Sequence, residues 1–431
     1  MNATAPRRVE PLDALLFDPA RTGSLDRVVA PPYDLIDQVQ QEQLYARSPF
    51  NIVRLELSRE SDPYASAAAT LAQWRTEATL ARASKPAFYY YTQRFNHAGR
   101  GMVRNGLIAR VRLEEFASGR ILPHERTFPK AKEDRLRLLT ATRTNISSIF
   151  GLYPTATGDL RALLKRTAES APLLSATDDH GIVNEVRALD SPGVIATVQE
   201  SLEAARILIA DGHHRYETAL EYRRQRHAAA PGLSSPQGFD YVMMTLVAFD
   251  DPGLVILPTH RLVRRLPVDA IAHFRDRCRE YFTVDEFAAP DQFLAALTAR
   301  GRHALGVALG GQPGFLILAL RDPASLATAM PDTPAAVREL EVSLLHTLVL
   351  DRIFGIKPDE VRQGGNIEYT IDGPAALTEV AAGRAAGAFL MNPPTVADIE
   401  RVSSAGATMP EKSTYFFPKL LTGLVLNPLD D

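Results

Sequence analysis

The sequence predicts an α+β or mixed α/β protein, on three observations. Short apolar runs of strand length alternate with stretches of helical spacing along the chain. A strand, a glycine turn and a helix follow one another directly around Asp211. No fixed-period repeat and no long low-complexity tract interrupts the pattern. At 431 residues the chain is long for a single core, and ordinary domain size gives about two or three packed units. We place an N-terminal α/β region over residues 1–265 and a C-terminal α/β domain over residues 266–431.

The elements follow in order. Paired prolines in Val28-Val29-Ala30-Pro31-Pro32-Tyr33-Asp34 impose an extended path. The run Asn51-Ile52-Val53-Arg54-Leu55-Glu56-Leu57 reads as a strand, and Ala68, Leu71, Ala72 and Trp74 set a helix within residues 65–80. Residues 87–91 and 106–113 flank the turn-rich Asn96-His97-Ala98-Gly99-Arg100-Gly101, which predicts a hairpin. Residues 206–210 form a buried strand that Asp211-Gly212 breaks, and Tyr216, Ala219 and Leu220 resume at helical spacing, with Arg223, Arg224 and Arg226 near the helix C-terminus. A loop over 230–238 leads to a strand at 241–247, and further extended segments fall at 315–320, 367–371 and 388–391.

Composition removes several function classes. The balance of 48 basic and 51 acidic side chains offers no field that gathers nucleic acid, so phosphate binding has to be local. Cys278 is the one cysteine, which rules out an intrachain disulfide and a cysteine metal cage and fits a reducing compartment. The N-terminus has no signal-like apolar core, and no uncharged apolar run reaches the ~18 residues of a membrane helix. The expectation is a cytoplasmic protein without a membrane partner. No Gly-x-x-x-x-Gly-Lys-Ser/Thr string occurs, and no Gly-x-Gly-x-x-Gly follows a strand.

Two constellations carry chemistry. In Asp211-Gly212-His213-His214-Arg215-Tyr216 the glycine permits close approach to the backbone, and the following helix presents amide donors and the positive end of its dipole. Arg215 adds a planar fork for phosphate or carboxylate, His213 and His214 add donors or a base, and Asp211 could take a proton or hold magnesium. The same residues equally suit plain structural duty, with the histidines on backbone groups and Arg215 in an ion pair. The second constellation is residues 123–135. His124 and Glu125 could act as acid and base, and Arg126, Lys130, Lys132 and Arg135 could grip phosphate, although mixed-sign runs usually form a solvated face. Near the C-terminus, Lys412, Ser413 and Thr414 sit among aromatics and could close over a phosphate.

Three strings recur in one order: His124-Glu125-Arg126-Thr127 with Lys132-Glu133-Asp134-Arg135-Leu136, then Asp211 to Ala219, then Met409-Pro410-Glu411-Lys412-Ser413-Thr414-Tyr415-Phe416. Together they resemble domain-of-unknown-function family 1015, over nearly the whole chain. More distantly, Asp211-Gly212-His213-His214-Arg215 is similar to the turn of the ParB and sulfiredoxin superfamily, whose members include a CTP-dependent DNA clamp, an ATP-dependent sulfinic-acid reductase and a free-serine kinase. The kinase turn reads Asp-Gly-His-Thr-Arg; His214 departs from it, and the reactive cysteine of sulfiredoxin is missing from this turn.

The resemblance implies a ParB/sulfiredoxin-like core and a nucleotide-dependent phosphotransferase acting on a small hydroxylated metabolite such as serine. Glu125, Asp211 and His213 would do the catalysis. ATP or ADP would lie against Gly212, His214, Arg215, Tyr216, His124, Arg126, Lys132, Lys412, Ser413 and Thr414, with Mg2+ on Asp211. A nucleotide-binding regulatory or clamp-like module without net catalysis is the alternative. It would form a homodimer and contact DNA, for which the chain shows neither a helix-turn-helix nor a basic arm. A third reading, metal-dependent hydrolysis, needs His124, His213, His214 and His260 to converge.

Overall fold

The computed structural model describes residues 7–125, 129–233, 236–363 and 365–430. It is a mixed α/β structure with several sheets, and it divides into two compact units. Unit 1 comprises residues 1–123, 127–255 and 418–431; unit 2 comprises residues 124–126 and 256–417. After its brief earlier passage at residues 124–126, the chain enters unit 2 again at Ile256 and returns to unit 1 at Pro418. Among the described residues no helix is long and apolar enough to cross a membrane.

Unit 1 is built on a nine-stranded sheet. Its strands are β1 (Val9–Glu10), β2 (Phe88–His97), β3 (Arg100–Arg112), β4 (Ile121–Leu122), β5 (Ile149–Tyr153), β6 (Leu174–Thr177), β7 (Val183–Leu189), β8 (Ile207–Asp211) and β9 (Tyr241–Ala248). The order is β4-β8-β5-β9-β3-β2-β7-β6, with β1 on β3. The pair β2/β3 is the expected hairpin, closed at Ala98-Gly99, where φ is 49° and 75°, the left-handed backbone that a tight hairpin turn requires. Central strand β9 is buried along nearly its whole length, as its unbroken apolar run implies. It pairs with β5 in parallel and with β3 antiparallel.

Helices α1 (Pro129–Thr142) and α2 (His213–Ala229) pack on each other in this unit. Pro63–Thr76 forms the helix expected within 65–80, started by Asp62, whose carboxylate accepts from the Ala65 amide. The strand expected at residues 51–57 is instead the short helix Val53–Glu56. Asn51 Oδ1 accepts from the Val53 amide at 3.0 Å, while its Nδ2 donates to the Arg27 and Val29 carbonyls. The Asn51 side chain turns the chain just ahead of this helix, and Ile52, Val53 and Leu55 are all buried, so no one-sided alternation marks a strand.

Unit 2 holds a six-stranded sheet: β10 (His260–Val263), β11 (Phe282–Phe287), β12 (Ala304–Leu309), β13 (Phe315–Leu320), β14 (Ile367–Thr370) and β15 (Gly387–Met391). The order is β11-β13-β12-β15-β10-β14. Helices α3 (Pro290–Arg300) and α4 (Gly373–Ala381) contribute Phe293, Leu297, Ala376 and Leu377 to its core. A π-helix spans Leu345–Ile353. Cys278 is buried at the end of a short helix, and burial pushes its thiol well above its usual range, so it is no reactive centre.

Candidate functional site

The buried strand β8 delivers Asp211 to the head of α2, and Gly212 stands between them with φ 93° and ψ 28°, a left-handed conformation that glycine adopts without steric cost. Unlike the helices begun by Asp62, Thr157 or Thr395, α2 has no side-chain cap. Arg215 folds back over this turn. A Cβ on Gly212 would lie 2.9 Å from Arg215 Nη2, so the glycine makes room for the guanidinium. Arg215 Nη1 donates to the Ser148 carbonyl at 2.6 Å, and Nη2 lies 3.8 Å from Asp211 Oδ1.

The other oxygen of Asp211 accepts from Lys419 Nζ at 2.6 Å. Burial alone would raise the Asp211 pKa, but Lys419 first and Arg215 second outweigh it and hold the carboxyl well below the usual carboxylate range. Asp211 is therefore a fixed anion and a poor proton acceptor at neutral pH. Arg104 adds to the local positive field. It is buried beside the Phe150 ring, and burial lowers its pKa to about 10, where it is still charged.

Beside this turn lies a cavity of about 50 Å³ that both Arg215 and Arg135 line, together with Glu56, Thr144, Ser147 and Thr218. One water needs roughly 10–15 Å³ by this measure, so the space holds a few waters or a group of phosphoryl size. Arg135 stacks 4.2 Å from the Tyr33 ring centre, and its Nη1 lies 3.6 Å from Glu56 Oε1. Burial would lower the Arg135 pKa, but Glu56 and Asp134 raise it overall. Glu56 also accepts from the Ser147 hydroxyl at 2.9 Å. The Tyr33 phenol is pushed up to about 12 by burial, against the opposing effect of Arg215 and Arg135, and stays neutral.

The other expected residues are placed as follows. Tyr216 is buried, stacked on Phe116 at 5.4 Å, and its hydroxyl donates to the Glu114 carbonyl and accepts from the Glu114 amide. That is a structural post rather than a ligand group. His213 is buried and His214 half-buried in the first turn of α2. Lys132 Nζ donates to Glu217 Oε2 at 2.7 Å across α1 and α2, in a groove also lined by Glu115, Glu133 and Glu221, an acidic setting ill suited to phosphate. Arg126 lies outside the described residues.

Unit 2 brings together two strings that are 289 residues apart in sequence. Glu125 Oε1 accepts from the Ser413 and Thr414 amides at 3.1 and 3.3 Å and from the Thr414 hydroxyl at 3.2 Å. His124 Nε2 is 2.9 Å from the same hydroxyl. Lys412 takes φ 54°, and its carbonyl accepts from buried Arg261 at 3.0 Å. Successive amides after a left-handed residue make an anion nest. The Glu125 carboxylate fills this one, so the segment expected to close over a phosphate is occupied by a side chain of the protein. Asp211, Gly212 and Arg215 thus form one cluster in unit 1, and His124, Glu125, Ser413 and Thr414 form another in unit 2.

Among the described residues no group of three His, Cys, Asp or Glu side chains is placed to hold a metal ion. With one oxygen on Lys419 and the other near Arg215, Asp211 does not fit a resident magnesium. Lys419, Glu56 and Ser148 are site residues that the sequence reading did not single out. Lys419 pairs over 208 positions, and Glu56 was hidden inside an apparent strand.

The chain belongs to the family described as Protein of unknown function (DUF1015), whose pattern matches residues 9–343. No curated protein matches it in sequence. Among solved structures, the free serine kinase in complex with AMP is 14% identical and covers 72% of this chain and 86% of that one at a TM-score of 0.35. A mutant of the free serine kinase in complex with ADP is 14% identical, with coverages of 73% and 88% and a TM-score of 0.36. SbnI with C-terminal truncation from Staphylococcus aureus is 11% identical, with coverages of 75% and 87% and a TM-score of 0.36. These are distant similarities.

Proposed function

We propose that this member of the family is a nucleotide-dependent phosphotransferase that binds ATP or ADP at a ParB/sulfiredoxin-like turn, Asp211 to Arg215, and phosphorylates a small hydroxylated metabolite such as serine. One observation carries the reading: Arg215 and Arg135 line a single phosphoryl-sized cavity beside the N-terminus of a 17-residue helix that has no side-chain cap among the described residues. Aligned peptide dipoles and two guanidinium groups favour an anion there.

Gly212 lets the phosphate approach the backbone, and Arg215 neutralises charge that builds on the transferring group. Asp211 and the Ser148 carbonyl hold that arginine in place. The acceptor oxygen would form the new bond to phosphorus as the bond to the leaving phosphate breaks, and the acceptor proton needs a base. His213 stands in the turn itself, Glu125 in unit 2, and Glu56 is the carboxylate that lines the cavity. Magnesium, where it takes part, comes with the nucleotide phosphates, and no step is assigned to an ion on Asp211.

One feature favours the alternative, a nucleotide-binding regulatory or clamp-like module without net catalysis: the carboxylate in the turn is doubly engaged and is no base. Thermal-shift titration with ATP and ADP, with and without magnesium, tests both readings, because a ligand at 100 times its Kd adds about 2.7 kcal/mol to stability. The expected result is a rise that Arg215→Ala abolishes, with serine converted to phosphoserine by the native chain. Nucleotide binding without turnover selects the alternative. No response to any nucleotide, or an unchanged response in a folded Arg215→Ala, rejects the site.

A further inference from the structure

Unit 2 contains a second cavity, of about 300 Å³, bounded by the π-helix, Tyr369 and residues 408–411. That volume lies within the range of small-molecule sites. Met330, Val337, Val361 and Met409 give it apolar walls, and Ser343, His346 and Glu411 are among its polar lining residues. Ser343 Oγ and His346 Nε2 are both buried, and neither has a hydrogen-bond partner among the described residues. Buried polar atoms are nearly always paired, so two orphans on one cavity wall call for an explanation.

The backbone supplies an independent sign. His346 is the second residue of the nine-residue π-helix. Such i→i+5 segments are rare, usually single-turn, and frequent at functional sites. Burial first, and Arg261 second, push the His346 imidazole down to about 3, so it is neutral at physiological pH. A neutral ring carries one donor and one acceptor nitrogen. The neighbouring cation lies outside the cavity lining: Arg261 is fully buried, sits 4.8 Å from the Tyr369 ring centre, and donates through its two terminal nitrogens to the Thr259, Glu411 and Lys412 carbonyls.

We propose that this cavity is a binding site for a small uncharged organic molecule, an aromatic or other apolar body bearing one hydroxyl or carbonyl group that pairs with His346 Nε2 and Ser343 Oγ. The two methionines suit an aromatic body, because thioether sulfur makes favourable contacts with rings and adapts to their shape. Among the described lining residues a carboxylate meets no cation and the like charge of Glu411, and an ammonium placed beside His346 would feel the Arg261 charge that already depresses that ring.

The full chain, labelled at histidine for NMR, is titrated with 4-methylphenol, with toluene as the body lacking the hydroxyl and benzoate as the anion. The expected result is saturable binding of 4-methylphenol that shifts the His346 ring nitrogens, with toluene weaker by about tenfold, the loss of one hydrogen bond, and benzoate weaker because its charge meets Glu411 in the lining. Ser343→Ala and His346→Phe are each expected to weaken 4-methylphenol by a similar factor and to leave toluene unchanged. Absence of saturable 4-methylphenol binding to the native chain overturns the proposal. So does equal binding of benzoate, or equal binding of 4-methylphenol by a folded Ser343→Ala.

Discussion

At Asp211 a partly buried carboxylate is gripped by Lys419 at 2.6 Å and approached by Arg215 at 3.8 Å, whereas at His346 a buried ring nitrogen has no partner among the described residues. The two cavities differ in the same way. The one in unit 1 is small and lined by paired charges, and the one in unit 2 is larger, with apolar walls, uncharged polar groups and one carboxylate, Glu411, in its described lining. A charge buried in protein has to be neutralised within reach, so a charged site is held rigidly by its own counter-ions. A neutral polar atom can be left for a ligand to complete, at a smaller cost to the empty fold. The first arrangement selects an anion that competes with Asp211 and Glu56 for guanidinium groups; the second selects shape and a single hydrogen bond.

Breaking the charge cluster is expected to have the largest effect. Asp211→Ala leaves Lys419 and Arg215 without their carboxylate, and loss of one partner from a buried pair costs about 3–5 kcal/mol, to be read from the urea midpoint. The pH dependence follows from the depressed Asp211 pKa. Its stabilisation is complete above the unfolded value of about 3.9 and is lost as pH falls towards the folded value. The stability gap between the native chain and Asp211→Asn should thus be flat from neutral pH to about 5 and narrow below about 4. A gap that narrows already near pH 6 would mean that Asp211 is not the anion described here.

Unit 2 should answer acid earlier and through histidine. His260 is buried, and its Nδ1 accepts from the Met391 amide at 3.2 Å, a bond only the neutral ring can make. Burial, then Arg261, lowers its pKa to about 4. The unfolded chain takes up this proton below about 6.5, so stability drains away as pH falls from there to about 4. The full loss is about 3 kcal/mol at 1.36 kcal/mol per unit of pKa difference. His260→Asn, whose Oδ1 can stand in for Nδ1, should remove that part of the acid slope. Amide exchange at pH 5 should then show unit 2 losing protection before unit 1; the reverse order would break the contrast.

The elements of both units were largely legible in the sequence, and the sites were less so, for physical reasons. The β2/β3 hairpin could be read because alternation and Ala98-Gly99 are local signals, and the β8, Gly212, α2 succession because a buried run, a glycine and helical spacing are adjacent. Val53–Glu56 misled because a short segment buried on several sides carries no period. Asn51, a residue type whose side chain turns the backbone by bonding the amide two residues on, was the signal available. Lys419 and Asp211, or Glu125 and Thr414, meet only through tertiary folding, and nothing near either residue encodes its partner. Residue type announced an anion site at 412–414, yet type could not tell that Glu125 would occupy it.

A smaller effect sharpens the role of the turn. Gly212→Ala places a Cβ on a backbone at φ 93°, 2.9 Å from Arg215 Nη2. The left-handed backbone costs about 1–2 kcal/mol, and the guanidinium can move aside, so the fold should survive. What should go is the registration of Arg215 on the Ser148 carbonyl, and with it most of the thermal response to nucleotide. A response that persists at native strength would show that the phosphate does not depend on this close approach.

The smallest effect is expected from Lys132, and it discriminates best. Its ion pair with Glu217 is 2.7 Å long, but the two side chains are 37% and 26% exposed, so solvent screens the attraction. Lys132→Ala should cost less than about 1 kcal/mol. It should also leave the nucleotide response intact, because the groove it lines is acidic while the cavity at Arg215 is not. Thr218 lines both spaces, so a bound nucleotide that extended from one into the other would pass directly by Lys132. Loss of the nucleotide response in Lys132→Ala, with Glu217→Gln restoring none of it, would therefore move the anion site outward along α2 and away from the turn.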